Sequence, residues 1–190
     1  MKTNRIVSIA SAFAVGTVLL ATALRAQPKD PLEDIIFGER NMGGPRLGVT
    51  YVYGSGKLSD ILKRNNMGQT LSQFGWHFEY QVVPDGGGPS FVIQFVPLVA
   101  GVEYGTLVPS GTLAMGVRLP EGIEVGLGPN AMVVKDEFDR VSLKSALMMT
   151  VGYSFRYGGV NIPLNFVYTT NPEGNRFSLI FGYAIRKSSK

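Results

Sequence analysis

The most constraining feature of this sequence is the alternation of aromatic and polar side chains over residues 74–83, FGWHFEYQVV. Successive side chains of an extended strand point to opposite faces, so the apolar side chains share one face and the polar side chains share the other. The apolar face holds Phe74, Trp76, Phe78, Tyr80 and Val82, and the polar face holds Gly75, His77, Glu79 and Gln81. Such a strand is typical of a soluble sheet with its apolar face on the protein core and its polar face in water. It is equally typical of a membrane barrel whose apolar face meets lipid and whose polar face lines the lumen.

The chain has 190 residues, of which 45% are hydrophobic and 11% aromatic, with 24 glycines. This composition predicts one domain with a large apolar surface and many turns. The sequence contains no cysteine. Stability must therefore come from packing or from a closed hydrogen-bonded sheet rather than from disulfides.

Residues 1–26 are predicted to be a secretory signal. Lys2 and Arg5 precede a long uncharged apolar run, and small residues follow it, as in signal peptides. Cleavage is expected after Ala26 or after Ala23, and an uncleaved anchor is the alternative because the run is nearly long enough to span a bilayer. Without a cysteine, lipoprotein anchoring is excluded.

The formal charge of +4 suggests a basic protein. Lys2, Arg5 and Arg25 lie in the predicted signal, however, and without them 15 basic and 14 acidic residues leave a net charge of +1. The mature sequence has no cluster of basic residues suited to a phosphate backbone. Nucleic acid is therefore not an expected partner.

After a predicted leader at residues 27–45, the alternation predicts eight strands between residues 46 and 186. The strands are predicted at residues 46–54, 74–83, 91–104, 112–118, 123–127, 145–157, 162–168 and 177–185. A bulge near Pro97 is expected in the third strand, because the apolar residues after it are one position out of phase; it would place Gln94 and Glu103 on the polar face.

The predicted connections alternate between long and short, with lengths of roughly 18, 7, 17 and 7 residues on one side and roughly 6, 4 and 2 on the other. The longest are residues 54–72 and 128–144. The first is predicted to be a long loop, in which the spacing of Leu58, Ile61 and Leu62 suits one or two turns of amphipathic helix. This asymmetry favours an all-β, eight-stranded antiparallel up-and-down barrel with external loops and short periplasmic turns.

On its strand pattern, loop asymmetry and signal, the segment 46–186 resembles the small eight-stranded outer-membrane β-barrels with the architecture of outer-membrane proteins A and X. Residues 101–130 and 153–167 also resemble uncharacterised exported bacterial barrel proteins. The resemblance implies transmembrane strands in the outer membrane of the cell envelope, with outer-membrane lipid and the barrel assembly machinery as partners. It does not identify an extracellular ligand. One departure is that residues 184–190 follow Tyr183, whereas such barrels usually end on an aromatic residue.

The inward face predicts a polar network in the lumen. An eight-stranded barrel is just wide enough for side chains to fill it, so ions inside must pair and an open pore is not expected. The predicted network comprises His77, Glu79, Gln81, Glu103, Arg118, Glu124 and Arg156. The glutamates are expected to be held by the two arginines, with His77 at the edge.

Two alternatives remain open from the sequence. A soluble, exported lipocalin-like barrel would turn the aromatic side chains inward around a lipid or another apolar ligand. A lipid hydrolase would need His77, Ser154 and a glutamate as base, nucleophile and orienting group, but the sequence has no Gly-x-Ser-x-Gly motif. No cofactor or metal is predicted, because the single histidine has no second histidine or cysteine to join it. The expectation is a protein without catalytic activity.

Overall fold

The computed structural model describes residues 37–54, 56–135, 140–157, 160–172 and 174–186. The predicted signal and residues 27–36 of the predicted leader lie outside this part. The elements are β1 (Phe37–Tyr53), α1 (Lys57–Arg64), β2 (Thr70–Pro84), β3 (Ser90–Ala100), a 3₁₀ helix (Val102–Tyr104), β4 (Val108–Arg118), β5 (Ile123–Lys135), β6 (Val141–Tyr157), β7 (Val160–Thr170), β8 (Asn175–Gly182) and β9 (Ile185–Arg186).

The strands form a closed barrel. Each strand from β1 to β8 pairs antiparallel with the next, and β8 returns to pair with β1 from Arg46↔Gly182 to Tyr53↔Asn175. The two-residue strand β9 continues along β1 in the same register, with Gly43 opposite Ile185. The described residues therefore form an eight-stranded antiparallel barrel, which confirms the predicted fold class and leaves no strand of the closed part at a sheet edge.

The outward face of the barrel is apolar on every strand, and we call this surface the outer apolar belt. Its side chains are between 37% and 58% exposed, whereas His77 on the opposite face of β2 is 1% exposed. The belt comprises Leu47, Val49, Tyr51, Phe74, Trp76, Phe78, Phe91, Phe95, Leu113, Met115, Val117, Ile123, Val125, Leu127, Leu147, Met149, Val151, Tyr153, Ile162, Leu164, Phe166, Phe177, Leu179 and Phe181. The predicted face assignment is confirmed except after Pro97 in β3, and the inward aromatics of the lipocalin-like alternative are wrong.

Two predicted boundaries are wrong because strands continue through segments that look like coil in the sequence. Strand β1 begins at Phe37, so residues 37–45 belong to the barrel and not to a leader. The predicted loop at residues 128–144 is mostly a β5–β6 hairpin that pairs as far as Lys135↔Val141. Gly128 reads as a turn residue, but a Cβ there would overlap the carbonyl oxygen of Leu113. Gly128 allows β5 to approach β4 closely. Because the β5–β6 connection is shorter than predicted, the connections alternate less strongly between long and short than expected.

The predicted bulge near Pro97 is also wrong. Strand β3 pairs with β4 without interruption, with Pro97 opposite Gly111, and its register with β2 is the same before and after Val96 and Pro97, which have no β2 partner. Leu98 and Ala100 therefore point inward, where they are 7% and 8% exposed. The phase of the apolar pattern changes because the wall of the lumen itself becomes apolar toward the loop end.

Helix α1 covers the loop end of the barrel, in a segment that was predicted to be a long loop with room for one or two turns of amphipathic helix. Leu58 and Leu62 are 5% and 3% exposed and pack on an apolar cluster. The other members of that cluster are Val52, Met67, Leu71, Ala100, Val108, Met132 and Val134. Within the described ranges, no helix is long and apolar enough to cross a membrane. The interior is thus largely apolar at the loop end, apart from Arg176, whereas Glu79, Arg118 and Glu124 lie nearer the short turns.

Candidate functional site

A charged layer crosses the lumen near the short turns. Arg118, at the end of β4, donates from Nη1 to Glu79 Oε1 at 2.5 Å and from Nη2 to Glu79 Oε2 at 2.7 Å, a bidentate arrangement. It also donates from Nε to Glu124 Oε2 at 2.9 Å. The three residues are 3% to 4% exposed. Such a layer exists because β2, β4 and β5 turn these residues inward at the same height, and ions removed from water must pair.

Glutamine side chains extend this layer. Gln94 Nε2 donates to Glu124 Oε1 at 2.6 Å and to Glu79 Oε2 at 3.2 Å, so it bridges the two carboxylates. Gln81 donates to the hydroxyl of Ser90 at 2.9 Å, one step closer to the turns. The layer is therefore a hydrogen-bonded lattice and not an isolated ion pair.

His77 lies beside the layer without a hydrogen bond of good geometry. Its Nε2 is 3.2 Å from Glu79 Oε2, yet the two groups are not aligned for donation, and Nδ1 has no partner in the described part of the chain. Ser154 is on β6, four strands around the barrel from β2, and no described hydrogen bond joins it to His77. The arrangement needed for a nucleophile and its base is not assembled there. Among the described residues, no three His, Cys, Asp or Glu side chains are grouped so that they could hold a metal ion.

Two residues of the predicted network lie elsewhere. Arg156, near the end of β6, is exposed. Glu103 lies in the 3₁₀ helix after β3, because the expected bulge is absent. Its carboxylate accepts hydrogen bonds from the Ser72 amide at 2.6 Å and from the Ser72 hydroxyl at 2.5 Å. Partial burial alone would raise the pKa of Glu103, but these hydrogen bonds outweigh it and hold the pKa below its ordinary value. Glu103 thus fastens a loop to β2.

Sequence reasoning missed the inward-facing Arg46, Gln73 and Arg176. Arg46 and Gln73 are buried, and Arg176 donates to Asn130 Oδ1 at 2.7 Å across the lumen. The alternation contained the signal, because Arg46 is in phase with the inward Thr50, and Arg176 with inward residues of β8. The alternation, extended by one or two positions at the start of each predicted strand, assigns Arg46, Gln73 and Arg176 to the inward face.

An internal cavity of about 90 Å³ separates the charged layer from α1. Arg46, Gln73, His77 and Gln94 line it toward the charged layer, and Leu58 and Leu62 line it toward the loops. The remaining wall contains both apolar and polar side chains, among them Arg176. The cavity thus lies between polar side chains on the side of the charged layer and the leucines of α1 on the side of the loops.

Comparisons with known proteins show a likeness of fold. No family model matches the chain, and no curated protein matches it in sequence. The structure of Ail, the attachment invasion locus protein of Yersinia pestis, is similar with a TM-score of 0.52 and 12% identity, over 78% of this chain and 97% of that one. Neisserial surface protein A has a TM-score of 0.47 and 11% identity, over 78% and 97% of the two chains. Ail is an outer-membrane protein. At this identity the likeness shows the fold alone: the chain is an eight-stranded antiparallel barrel with the architecture of small outer-membrane proteins.

Proposed function

We propose that this chain is an outer-membrane β-barrel protein without catalytic activity. The observation that carries the proposal is the outer apolar belt, which encircles the barrel on all eight strands. Soluble monomers rarely expose contiguous apolar patches larger than a few hundred Å². Buried ions inside a shell of exposed aromatic and aliphatic side chains are the arrangement expected of a barrel in lipid.

The strand lengths support this location. A strand of roughly 9 to 11 residues, tilted by about 45°, crosses the hydrocarbon core of a bilayer. The strands here have between 8 residues in β8 and 17 residues in β1 and β6, and β9 prolongs β8 along β1. The backbone of the belt is hydrogen-bonded around the whole circumference, as lipid requires.

We place the role of the barrel in the cell envelope, either as a structural element or through binding at the loop end. Beyond the last pairs with β4 and β7, residues 133–135 and 141–143 form a two-stranded extension. Its outer side carries Val141 and Leu143, which are 75% and 68% exposed. Together with α1, this extension is the surface available to an extracellular partner. An exposed apolar surface outside the bilayer is typical of a contact site.

The test compares two substitutions that introduce the same charge at different depths. Phe78→Arg places a guanidinium in the middle of the belt, where it is expected to cost about 2 to 4 kcal/mol and to reduce insertion. Val141→Arg places it on the extension, where insertion should stay near the wild-type level. Both variants are followed by detergent extraction from membranes and by the mobility difference between unheated and boiled samples in gel electrophoresis. Equal insertion of the two variants, or a wild-type protein recovered without detergent, would overturn the proposal.

A further inference from the structure

One inward arginine has no carboxylate to balance its charge. Among the described residues, the charged layer and the lining of the cavity contain three arginines and two glutamates, a net charge of +1 with His77 neutral. Arg118 pairs with both glutamates, and Arg46 lies close enough to interact with the same two carboxylates. These four charges balance one another in the charged layer. The remaining arginine is Arg176, near the loop end of β8.

Arg176 makes its hydrogen bonds to neutral groups. Its Nη2 donates to Asn130 Oδ1 at 2.7 Å, and its Nη1 lies 2.8 Å from the sulfur of Met132, which is a weak acceptor. No ion pair or electrostatic contact within the described ranges joins Arg176 to a carboxylate. The side chain is half-buried, and a cation removed from water is normally paired. Because a guanidinium carries more N–H donors than these two contacts use, Arg176 can also bind an anion.

Two threonine hydroxyls extend this set of donors. Thr169 is opposite Arg176 in the β7–β8 pairing, is 5% exposed and lines the cavity, and its hydroxyl has no hydrogen-bond partner among the described residues. Thr112 lines the cavity as well and accepts from Asn130 Nδ2 at 2.8 Å, so its own proton is left to donate elsewhere. A guanidinium and two hydroxyl donors on one cavity favour a negatively charged ligand.

The size of the cavity limits the ligand to a small one. An apolar cavity of about 150 Å³ holds benzene, with its six carbons, so by proportion the about 90 Å³ measured here holds roughly four such atoms. The charge to be balanced is a single one. Chloride meets both limits, whereas sulfate is larger and divalent.

Arg176 is also within reach of the loop end. Its side chain lines a second cavity, of about 10 Å³, between α1, the β5–β6 hairpin and the β7–β8 loop. Leu58, Asn171 and Gly174 belong to this lining. The second cavity gives an ion a short route to Arg176 that does not cross the charged layer.

We propose that the larger cavity binds one small monovalent anion, of which chloride is the simplest, against Arg176, Thr169 and Thr112. The anion accepts hydrogen bonds from all three side chains and balances the guanidinium charge. Water molecules would satisfy the hydroxyls without supplying that charge. The site lies inside the barrel and does not depend on where the barrel resides.

Equilibrium dialysis of radioactive chloride against the full barrel, refolded in a neutral detergent, tests this directly. Micelles without protein give the blank. Chloride is expected to bind with one-to-one stoichiometry and to be displaced by bromide, which has the same charge and a similar size. Sulfate at the same ionic strength is the matched control and should displace little. Absence of saturable chloride binding, as a water-filled cavity would give, overturns the proposal, and so does equal displacement by bromide and sulfate.

Variants locate the site. Arg176→Gln is expected to weaken chloride binding by about tenfold or more, because a charged donor is lost. Arg156→Gln removes the same charge from an exposed side chain and should bind as the wild type does. Thr169→Val keeps the charge and the shape, and should weaken binding several-fold by removing one donor.

Heat-dependent gel mobility reports whether each variant folds, and Thr169→Val decides the assignment if Arg176→Gln does not fold. Undiminished binding in folded Arg176→Gln, or an equal loss in Arg156→Gln, would refute it. If Arg176→Gln does not fold, undiminished binding in Thr169→Val has the same meaning.

Discussion

Replacing Arg118 with methionine should destabilise the barrel more than any other removal of one charge in the described structure. The guanidinium makes three hydrogen bonds of 2.5 to 2.9 Å to Glu79 and Glu124, apart from a further contact between Nη2 and Glu124. At about 1.5 to 3 kcal/mol for each charged hydrogen bond, a simple sum exceeds what such substitutions cost. Breaking a buried ion pair by removing one partner costs about 3 to 5 kcal/mol, and we expect a value in this range.

The magnitude follows from what remains after the substitution. Two carboxylates, 4% and 3% exposed, would face each other across the lumen with only Gln94 bridging them. The nearby guanidinium of Arg46 and any water entering from the cavity would offset part of this repulsion. We therefore expect the lower half of the range, about 3 to 4 kcal/mol.

Urea unfolding in detergent micelles, followed by the fluorescence of the single tryptophan, Trp76, measures the loss. Arg156→Met is the matched control, because it makes the same substitution at an exposed position and should change the free energy of unfolding by less than about 0.5 kcal/mol. The triple variant with Arg118→Met, Glu79→Gln and Glu124→Gln removes the uncompensated charges and should recover most of the stability. If Arg118→Met and Arg156→Met have the same effect, or if the triple variant is no better than Arg118→Met, the charged layer does not stabilise the fold.

Two further predictions concern the strands and the loops. Gly128→Ala should destabilise the barrel by about 1 to 3 kcal/mol, because its Cβ would overlap the carbonyl of Leu113. Gly111→Ala is the control and should be tolerated, because its Cβ would have no atom closer than 3.7 Å. Unfolding titrations that rank the two variants equally would contradict the packing argument. The pKa of Glu103 is held below its ordinary value of 4.5, so its anchoring of the β3–β4 loop to Ser72 should persist above that pH and fade as the pH falls through the lowered pKa. Amide hydrogen exchange of that loop should show the pH dependence in the wild type and lose it in Glu103→Gln, and an unchanged profile in the variant would rule out this anchor.

The sequence alone determined the features that depend on how side chains repeat along one strand or one helix. Alternation over residues 74–83 and 145–157 assigns the two faces of those strands, because a strand has only two sides. The spacing of Leu58, Ile61 and Leu62 suited one or two helical turns within the predicted loop, because a helix brings residues three and four apart together, and α1 forms there. Glu79, Arg118 and Glu124 followed from the same alternation, since each lies on the polar face of its own strand.

Only the tertiary structure decided which strand segments lie at the same height in the barrel. The pairing of β5 with β6 extends strand structure through Gly128 and Pro129, since backbone hydrogen bonds and a close carbonyl override local turn propensity. Leu98 points inward into an apolar cluster with Ala114, Met148, Val167 and Ile180, which are distant from it in sequence. Glu103 lies outside the lumen because β3 ends at Ala100 without the expected bulge and Glu103 belongs to the 3₁₀ helix that follows. The pairing of Arg118 with Glu79 and Glu124, and the set of residues around the cavity, likewise depend on closure of the barrel. No periodicity along one strand can specify that closure.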